Sequence, residues 1–326
     1  MKDGLTFVTV VFDAEITLLE LQARSMAMHL DRQAAASVMV LDNSVSGLSR
    51  GTIARLRRAY GPLQDRMRVV RTRELIDSRG VSGWRSQQAA KLVVSQLVDT
   101  RHYVVLDAKN HFISPAGVAS FVGEDGRAHA ARHSYASHPL RPALARTLDY
   151  VGATPETRDA SIDAFPPTAT PFVFDTALVR ALVEDVRARS GRRFEEEFEA
   201  HELLEFFLYS SWLEVRGPGV DAVMDGRSLP SPTVWPKAAT VAGVDAAIAE
   251  IARDGAFVFA VHRQVLARAD RATRDRIAAF WAERGLLPDT RAATRLIADF
   301  RRRYFPALVR TRLDERVQRR RRRAGA

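Results

Sequence analysis

Polar residues that could bind a charged ligand follow four apolar runs in this sequence. These residues are Thr9–Asp13, Asp42-Asn43, Asp107–His111 and His262. Carboxylate, amide and imidazole groups suit divalent cations such as Mg²⁺ or Mn²⁺. In open α/β sheets, ligands bind beyond the carboxyl ends of the strands. If each apolar run is a strand, Asp107, Lys109, Asp42 and His262 should therefore converge on one crevice.

Each of these groups also has a simpler explanation. Asp42 and Asn43 suit hydrogen bonds to a nucleoside base or ribose, but Asp and Asn favour turns in any case. Thr9 and Asp13 carry less weight, because the first strand of almost any such sheet ends in something polar. A single histidine at a strand end, as at His262, is commonly structural. These alternatives stay open at the level of the sequence.

Glu205 is a candidate catalytic carboxylate because it begins the aromatic stretch EFFLYSSWL. Apolar rings beside a carboxylate raise its pKa, which suits a general base or a ligand of an acceptor hydroxyl. Acidic residues precede it, and a run of this kind is usually a solvated helix face. These residues are Glu195, Glu196, Glu197, Glu199 and Glu202.

The spacing of apolar residues predicts the elements that position these side chains. Strand, helix and strand follow one another within about 40 residues, which is typical of the opening of a parallel sheet. The predicted strands are Leu5–Phe12, Ser37–Leu41, Arg68–Val70, Tyr103–Leu106, Phe172–Phe174 and Phe257–Val261. The predicted helices are Ile16–Leu30, Thr52–Tyr60, Trp84–Val98, Thr176–Ser190, Phe194–Leu213, Arg268–Gly285 and Thr290–Arg303. The pattern predicts an α/β fold with a mostly parallel sheet flanked by helices.

The amino-acid composition limits the classes of protein to which this chain can belong. The 326 residues are 46% hydrophobic and 27% charged, which indicates a globular chain with one large domain, or one plus an appendage. The absence of cysteine excludes disulfides, thiolate zinc sites and cysteine nucleophiles. No apolar run approaches the roughly 20 residues of a membrane span, so we expect a cytoplasmic protein. The sequence also lacks the GxxxxGK[ST] and GxGxxG motifs, which disfavours P-loop NTPases and dinucleotide dehydrogenases.

The net charge of +10 raises the question of nucleic acid binding. Arg319–Arg323 supply half of that charge in one terminal run, and no aromatic residues are interleaved with them. We therefore expect no nucleic acid partner. The run predicts a disordered, solvated tail, with contact to an anionic membrane as the alternative.

Three segments carry a resemblance to a known family. The segment YVVLDAKNHFISP, residues 103–115, resembles the metal-binding turn of GT-A glycosyltransferases, in which a strand ends in Asp-x-Asp. The segment that starts at Gly83-Trp84 resembles the GW..QQ..KL helix of a poorly characterised bacterial glycosyltransferase-like family. Residues 205–209, EFFLY, resemble the E(F/Y)xLY segment of that family.

The resemblance implies a GT-A, Rossmann-like fold that transfers a sugar from a nucleoside-diphosphate sugar to a glycan or other hydroxyl acceptor, in bacterial surface glycan synthesis. It implies a catalytic domain over 1–265, with a nucleotide-binding half to 115 and an acceptor half beyond it. A helical appendage over 266–318 and a basic tail over 319–326 follow. The implied roles are donor contacts for Gln88, Lys91 and Asn110, a metal site at Asp107 and His262, and a catalytic Glu205.

Lys109 departs from the family pattern, because it stands where the second aspartate would be. Residues 107 and 109 point the same way on an extended segment, so an ammonium replaces a metal ligand. Lys109 could neutralise the leaving diphosphate itself, or Asp107 could hold a weaker ion with help from Asn110 or His262. This substitution argues against tight Mg²⁺ or Mn²⁺ binding. Two rivals remain: a surface lysine with no role, and a GT-A-like protein that binds nucleotide sugars without catalysis.

Overall fold

The computed structural model describes residues 2–77 and 83–324, with side chains as far as residue 309. In this part of the chain there are eight strands. They are β1 (Lys2–Val11), β2 (Ala35–Asp42), β3 (Met67–Arg71), β4 (Thr100–Asp107), β5 (Asn110–Phe112), β6 (Phe172–Asp175), β7 (Thr233–Val234) and β8 (Val258–Val261).

The same residues form fourteen α-helices, some of them a single turn. They are α1 (Ile16–His29), α2 (Arg50–Tyr60), α3 (Thr72–Leu75), α4 (Gly83–Val93), α5 (Arg141–Val151), α6 (Pro155–Asp163), α7 (Thr176–Ser190), α8 (Phe194–Ala200), α9 (Glu205–Val215), α10 (Val220–Val223), α11 (Val241–Asp254), α12 (Arg263–Arg268), α13 (Arg271–Glu283) and α14 (Thr290–Ala324). No helix among the described residues is both long enough and apolar enough to cross a bilayer.

The strands form two sheets. The larger has the order β3-β2-β1-β4-β6, and β6 runs antiparallel to β4 with Phe174 opposite Tyr103. The smaller has the order β5-β8-β7, in which β5 is antiparallel and β7 parallel to β8. The predicted α/β fold and its helical C-terminal segment are confirmed, with a sheet that is mixed.

The chain divides into two compact units that are each assembled from distant segments. The first comprises Met1–Val8, Val70–Val105 and Val118–Leu229, and the second Thr9–Val69, Leu106–Gly117 and Pro230–Ala326. In the first unit, Tyr135, Leu148 and Phe207 belong to a buried apolar cluster. In the second unit, α1 buries Leu18 and Leu21, and also the polar side chain of Gln22.

One predicted helix is interrupted in the structure, and the acidic run before Glu205 is partly buried. The predicted helix Phe194–Leu213 is two helices, because Glu202 has a left-handed backbone with φ of 51° and interrupts the turn. The acidic run is not a wholly solvated face either, because Glu195 and Glu197 are only 4% and 6% exposed. Glu197 pairs with His201 at 3.1 Å, which explains how its carboxylate is accommodated.

Helix α14 continues to Ala324, through the segment that the sequence predicts to be a disordered tail. Arginine has a high intrinsic helix propensity, and adding a residue to an existing helix costs far less than starting one. The side chains of Arg319–Arg323 lie outside the described residues.

Candidate functional site

The turn between β4 and β5 carries the first candidate residues, and it is held by side chains. Asn110 Oδ1 accepts a hydrogen bond from the Asp107 backbone N–H at 2.8 Å. Gln22 Nε2 donates to the carbonyl oxygens of Asp107 at 2.7 Å and Asn110 at 3.0 Å. Asn110 is fully buried, and its Nδ2 donates to Ser231 Oγ at 3.2 Å. Asn110 therefore shapes the turn. Because its side chain is fully buried, it exposes no group for the predicted contact with the nucleotide-sugar donor.

Thr9 belongs to the same network. It is 2% exposed, and its hydroxyl donates to Gln22 Oε1 at 2.8 Å. Gln22 thus joins β1 to the β4–β5 turn with three hydrogen bonds. Sequence reasoning missed Gln22, although a polar residue on the apolar face of α1 was the available signal, since buried polar groups need partners.

Asp107 and Lys109 form an ion pair at the end of β4. The Asp107 side chain is 36% exposed and that of Lys109 is 16% exposed, so the pair lies at an open edge. Lys109 Nζ also lies 5.7 Å from the centroid of the Trp235 ring. The cation is therefore held by a carboxylate on one side and an aromatic face on another.

His262 follows β8 and lies at the same edge. Its Nδ1 accepts a hydrogen bond from the Gln264 backbone N–H at 3.2 Å, which caps α12. Burial lowers the pKa of His262 to about 4, and the positive charges of Arg263 and Lys109 add to this. The ring is neutral at pH 7, and because Nδ1 accepts, Nε2 carries the hydrogen. His262 therefore presents an N–H donor.

Strand register explains why these side chains meet. Asn110 at the start of β5 is opposite Ala260, and Val234 at the end of β7 is opposite Val261. The three strands of the small sheet therefore carry Lys109, Trp235 and His262 at the same end. The centroids of the Trp235 and His262 rings are 5.6 Å apart. The structure thus brings together Asp107, Lys109 and His262, and it adds Trp235, which sequence reasoning missed.

A second ion pair lies close to this edge. Arg263 donates to Glu15 Oε1 at 2.6 Å and lies 5.1 Å from the Phe12 ring. Burial raises the pKa of Glu15, Arg263 opposes that rise, and the charges of Asp107 and Lys109 are also felt at Glu15. This pair ties the segment after β1 to the segment that carries His262.

Asp13 and Asn43 lie in the segments after β1 and β2, and Asp42 is the last residue of β2. Asp13 Oδ2 accepts from a backbone N–H of the β2 loop at 3.0 Å, which joins the two loops. Asp42 is 2% exposed, and its oxygens accept from the backbone N–H of Ser44 at 3.0 Å and of Leu48 at 2.7 Å. The turn role that was the alternative for Asp42 is therefore observed, and Asn43 is the more accessible of the two predicted nucleoside contacts.

The predicted metal ligands do not suit a divalent cation in this arrangement. Within residues 2–77 and 84–309, whose side chains the structure describes, no group of three or more His, Cys, Asp or Glu side chains is placed to hold a metal ion. Asp107 is paired with an ammonium group, and His262 presents a hydrogen where a ligand needs a lone pair. This edge of the sheet is better suited to a phosphate group than to a metal.

The remaining candidates, Gln88, Lys91 and Glu205, lie in the first unit. Lys91 Nζ donates to Glu205 Oε1 at 2.9 Å, and the two side chains are 9% and 6% exposed. Lys91 also lies 5.2 Å from the Phe206 ring. Gln88 is 6% exposed, and its Oε1 has no hydrogen-bond partner within the described part of the chain. The aromatic surroundings predicted for Glu205 are present, together with a cation that the sequence did not link to it.

Comparison with solved structures finds similar chains among glycosyltransferases. The galactosyltransferase LgtC, in complex with donor and acceptor sugar analogs, is 12% identical over 90% of this chain and 96% of its own, with a TM-score of 0.49. The glycosyltransferase GlyE of Streptococcus pneumoniae TIGR4 is 10% identical over 92% of this chain and 63% of its own, with a TM-score of 0.43. Glucosyl-3-phosphoglycerate synthase from Mycobacterium tuberculosis, in complex with Mn²⁺ and uridine diphosphate, is 15% identical over 78% of this chain and 80% of its own, with a TM-score of 0.37.

Comparison of the sequence with known proteins identifies a family but no curated relative. Among curated proteins, no sequence matches this chain. A family profile matches residues 8–221, which include the β4–β5 turn and the Lys91–Glu205 pair. The chain therefore belongs to the family of unknown function DUF6492.

Proposed function

We propose that this protein is a GT-A glycosyltransferase that uses a nucleoside-diphosphate sugar and binds the diphosphate beside Lys109 and His262. The observation that carries the proposal is the arrangement at the carboxyl end of β4. There an ammonium group and a neutral imidazole N–H lie at one edge of the small sheet, at the strand-end position where ligands of α/β sheets bind. The segments that resemble the glycosyltransferase-like family support the same conclusion.

The chemistry follows from where charge develops. In the net transfer, the acceptor hydroxyl oxygen forms a bond to the sugar C1 and releases its proton to solvent, while the bond between C1 and the phosphate oxygen breaks and its electron pair stays on the departing diphosphate. The Lys109 ammonium stabilises that charge, and His262 Nε2–H donates to a phosphate oxygen. Asp107 keeps the ammonium in place before the donor arrives. Lys109 thereby performs the role that a metal ion has in the Asp-x-Asp site.

For the other predicted residues we propose more limited roles. Asp13 and Asn43 contact the nucleoside from the segments after β1 and β2. Asp42 shapes the loop after β2, and Thr9 holds Gln22 against the β4–β5 turn. Gln88 stays a proposed polar contact. For Glu205 and Lys91 we propose a structural ion pair in place of the catalytic and donor roles, because neither side chain is accessible. The division at residues 115 and 265, the glycan acceptor, the cytoplasmic location and the membrane contact of Arg319–Arg323 stay proposals.

The test begins with binding. Thermal unfolding of the protein is measured with UDP-, GDP-, CMP- and dTDP-sugars, each with and without EDTA. A ligand at 100 times its dissociation constant adds about 2.7 kcal/mol of stability, so the cognate donor should raise Tm by several degrees. Turnover of that donor is then followed by nucleotide release. We expect both signals to survive EDTA. If no nucleotide sugar shifts Tm, the proposed function is wrong. If EDTA abolishes turnover and Mn²⁺ restores it, Lys109 does not act as the cation that stabilises the diphosphate.

One observation favours a second candidate, a protein that binds nucleotide sugars without transferring them. The Asp107 carboxylate is already neutralised by Lys109, so the site lacks a free carboxylate of the Asp-x-Asp kind. This candidate predicts a Tm shift with the nucleotide sugar and no nucleotide release with any acceptor. The same two measurements therefore separate it from the enzyme.

A further inference from the structure

Trp235 lies at the edge that carries Lys109 and His262, and the charge stabilisation proposed above does not use it. Its position is fixed by the small sheet, because the His262 backbone N–H donates to the Val234 carbonyl at 3.1 Å. Val234 is fully buried, and Pro236 follows Trp235 at the start of a short 3-10 helix. The indole is therefore mounted on a rigid segment.

The indole nevertheless faces solvent. Trp235 is 46% exposed, although a tryptophan carries one of the largest apolar surfaces of any side chain. Lys109 Nζ is 5.7 Å from its ring centroid, and the His262 ring is 5.6 Å away at 36° to it. The exposed indole therefore lies beside two groups that can bind phosphate. A ligand that carries both a phosphate and an apolar ring face could contact all three side chains.

We propose that the Trp235 indole binds the hexose of the donor, by packing against the face of the sugar ring that presents C–H bonds. This inference rests on the proposed function and names the part of the substrate that meets this residue. A pyranose attached through C1 to a phosphate at Lys109 and His262 lies within reach of the indole. The predicted nucleoside contacts, Asp13 and Asn43, follow strands of the other sheet, which leaves the sugar as the group beside Trp235.

The experiment compares two probes on the same variants. One probe is the nucleotide sugar that gives the largest Tm shift in the UDP-, GDP-, CMP- and dTDP-sugar panel, and the other is its free nucleotide. Stacking of a ring on an aromatic side chain is lost in Trp235→Ala, which should weaken binding of the nucleotide sugar roughly 5- to 150-fold, by analogy with base stacking. The affinity for the free nucleotide should change less than about 2-fold.

Two further variants guard against an indirect effect. Trp235→Phe keeps a flat ring and should retain most of the affinity for the nucleotide sugar. Phe305→Ala removes an aromatic side chain of similar exposure, 44%, from α14 and should leave both affinities unchanged. In turnover, Trp235→Ala should raise KM with little change in kcat, since packing on the sugar is present before and during the reaction.

The outcomes separate this inference from the proposed function. If the wild-type protein binds no nucleotide sugar, both fail. If it binds the nucleotide sugar but Trp235→Ala binds it equally well, the role of Trp235 is wrong and the proposed function stands. If Trp235→Ala weakens the free nucleotide as much as the nucleotide sugar, the indole does not act on the sugar, and the inference is again overturned.

Discussion

Two lysine–carboxylate pairs in this protein have the same chemistry and opposite surroundings. Lys91 and Glu205 are sealed in the first unit, with side chains 9% and 6% exposed and 2.9 Å between charged atoms. Lys109 and Asp107 form a pair at a sheet edge in the second unit, with side chains 16% and 36% exposed. From the sequence alone, all four residues were comparable candidates for the functional site.

The difference shows what each pair can do. In the sealed pair, each charge satisfies the other, and removing one leaves an ion in an apolar region at high cost. At the sheet edge, water screens the attraction, so the pair is weak and a phosphate group can replace the carboxylate as partner of the ammonium. The same pair of side chains therefore stabilises the fold at one place and provides a ligand site at the other.

The largest expected effect is a loss of stability when the buried Lys91–Glu205 pair is broken. Lys91→Met keeps the length of the side chain and removes its charge, which leaves the Glu205 carboxylate buried without a counterion. The free energy of unfolding, measured in urea, should fall by about 3–5 kcal/mol. Lys2→Met is the matched control, because Lys2 and Asp99 form an exposed pair with side chains 66% and 70% exposed. The control should lose less than about 1 kcal/mol.

A double variant sharpens this prediction. Lys91→Met combined with Glu205→Leu removes both charges and should recover most of the lost stability, because no buried ion remains. A single Lys91→Met variant that unfolds with the free energy of the wild-type protein would show that the pair is not sealed. Glu205 would then return to the list of catalytic candidates.

Substitution of Lys109 in the exposed Lys109–Asp107 pair should change the rate of catalysis. Lys109→Ala should lower kcat by roughly 10²–10³-fold, as expected for loss of one charge-stabilising donor, with stability nearly unchanged. Turnover of the cognate donor and urea unfolding measure the two quantities, with Lys2→Ala as the control. Lys109→Asp should make turnover depend on Mn²⁺, since it restores the second carboxylate. Wild-type turnover in Lys109→Ala would reduce Lys109 to a surface residue.

A smaller effect concerns the pH dependence of the structure around Lys109. His111 Nδ1 lies 3.1 Å from the Lys109 carbonyl, and Trp281 Nε1 donates to His111 Nε2 at 2.9 Å. Burial lowers the pKa of His111 to about 4. Its contribution to stability is therefore complete above pH 6.5 and declines as the pH falls towards 4, by about 2 kcal/mol between pH 7 and pH 5.

Urea unfolding at both pH values, for the wild-type protein and His111→Asn, measures this contribution. The variant lacks the titrating group, so its stability should change by about 2 kcal/mol less over the same interval. Equal pH dependence in the two proteins would mean that His111 is protonated with the same affinity when folded and unfolded.

The smallest effect should come from the carboxylate of the open pair. Asp107→Asn removes the charge opposite Lys109 at a position that water reaches, so the free energy of unfolding should change by less than about 1 kcal/mol. This substitution is the direct counterpart of Lys91→Met. A loss as large as that of Lys91→Met would show that the two pairs are equivalent, and the contrast between them would fail.

The sequence by itself determined the elements and the polar positions at their ends. Helix α7 was predicted with its observed limits, Thr176–Ser190. The structure shows local causes for these limits, because Asp175 caps the first turn and Gly191 adopts the left-handed conformation that ends the helix. The Asp107–His111 turn was identified for a similar reason, since a continuous apolar run that stops at a carboxylate is a local signal. Capping, periodicity and turn chemistry depend on residues a few positions apart, which a single sequence displays.

The partners of the polar groups were decided by the tertiary structure alone. Lys91 and Glu205 are 114 positions apart, and Arg263 and Glu15 are 248 apart. Trp235 reaches Lys109 and His262 only through the register of β7, β8 and β5. Whether a charge is sealed or open depends on what packs around it in three dimensions, and periodicity carries no information on that. For this reason the sequence indicated where chemistry could occur, and the fold determined which of those residues remain free to perform it.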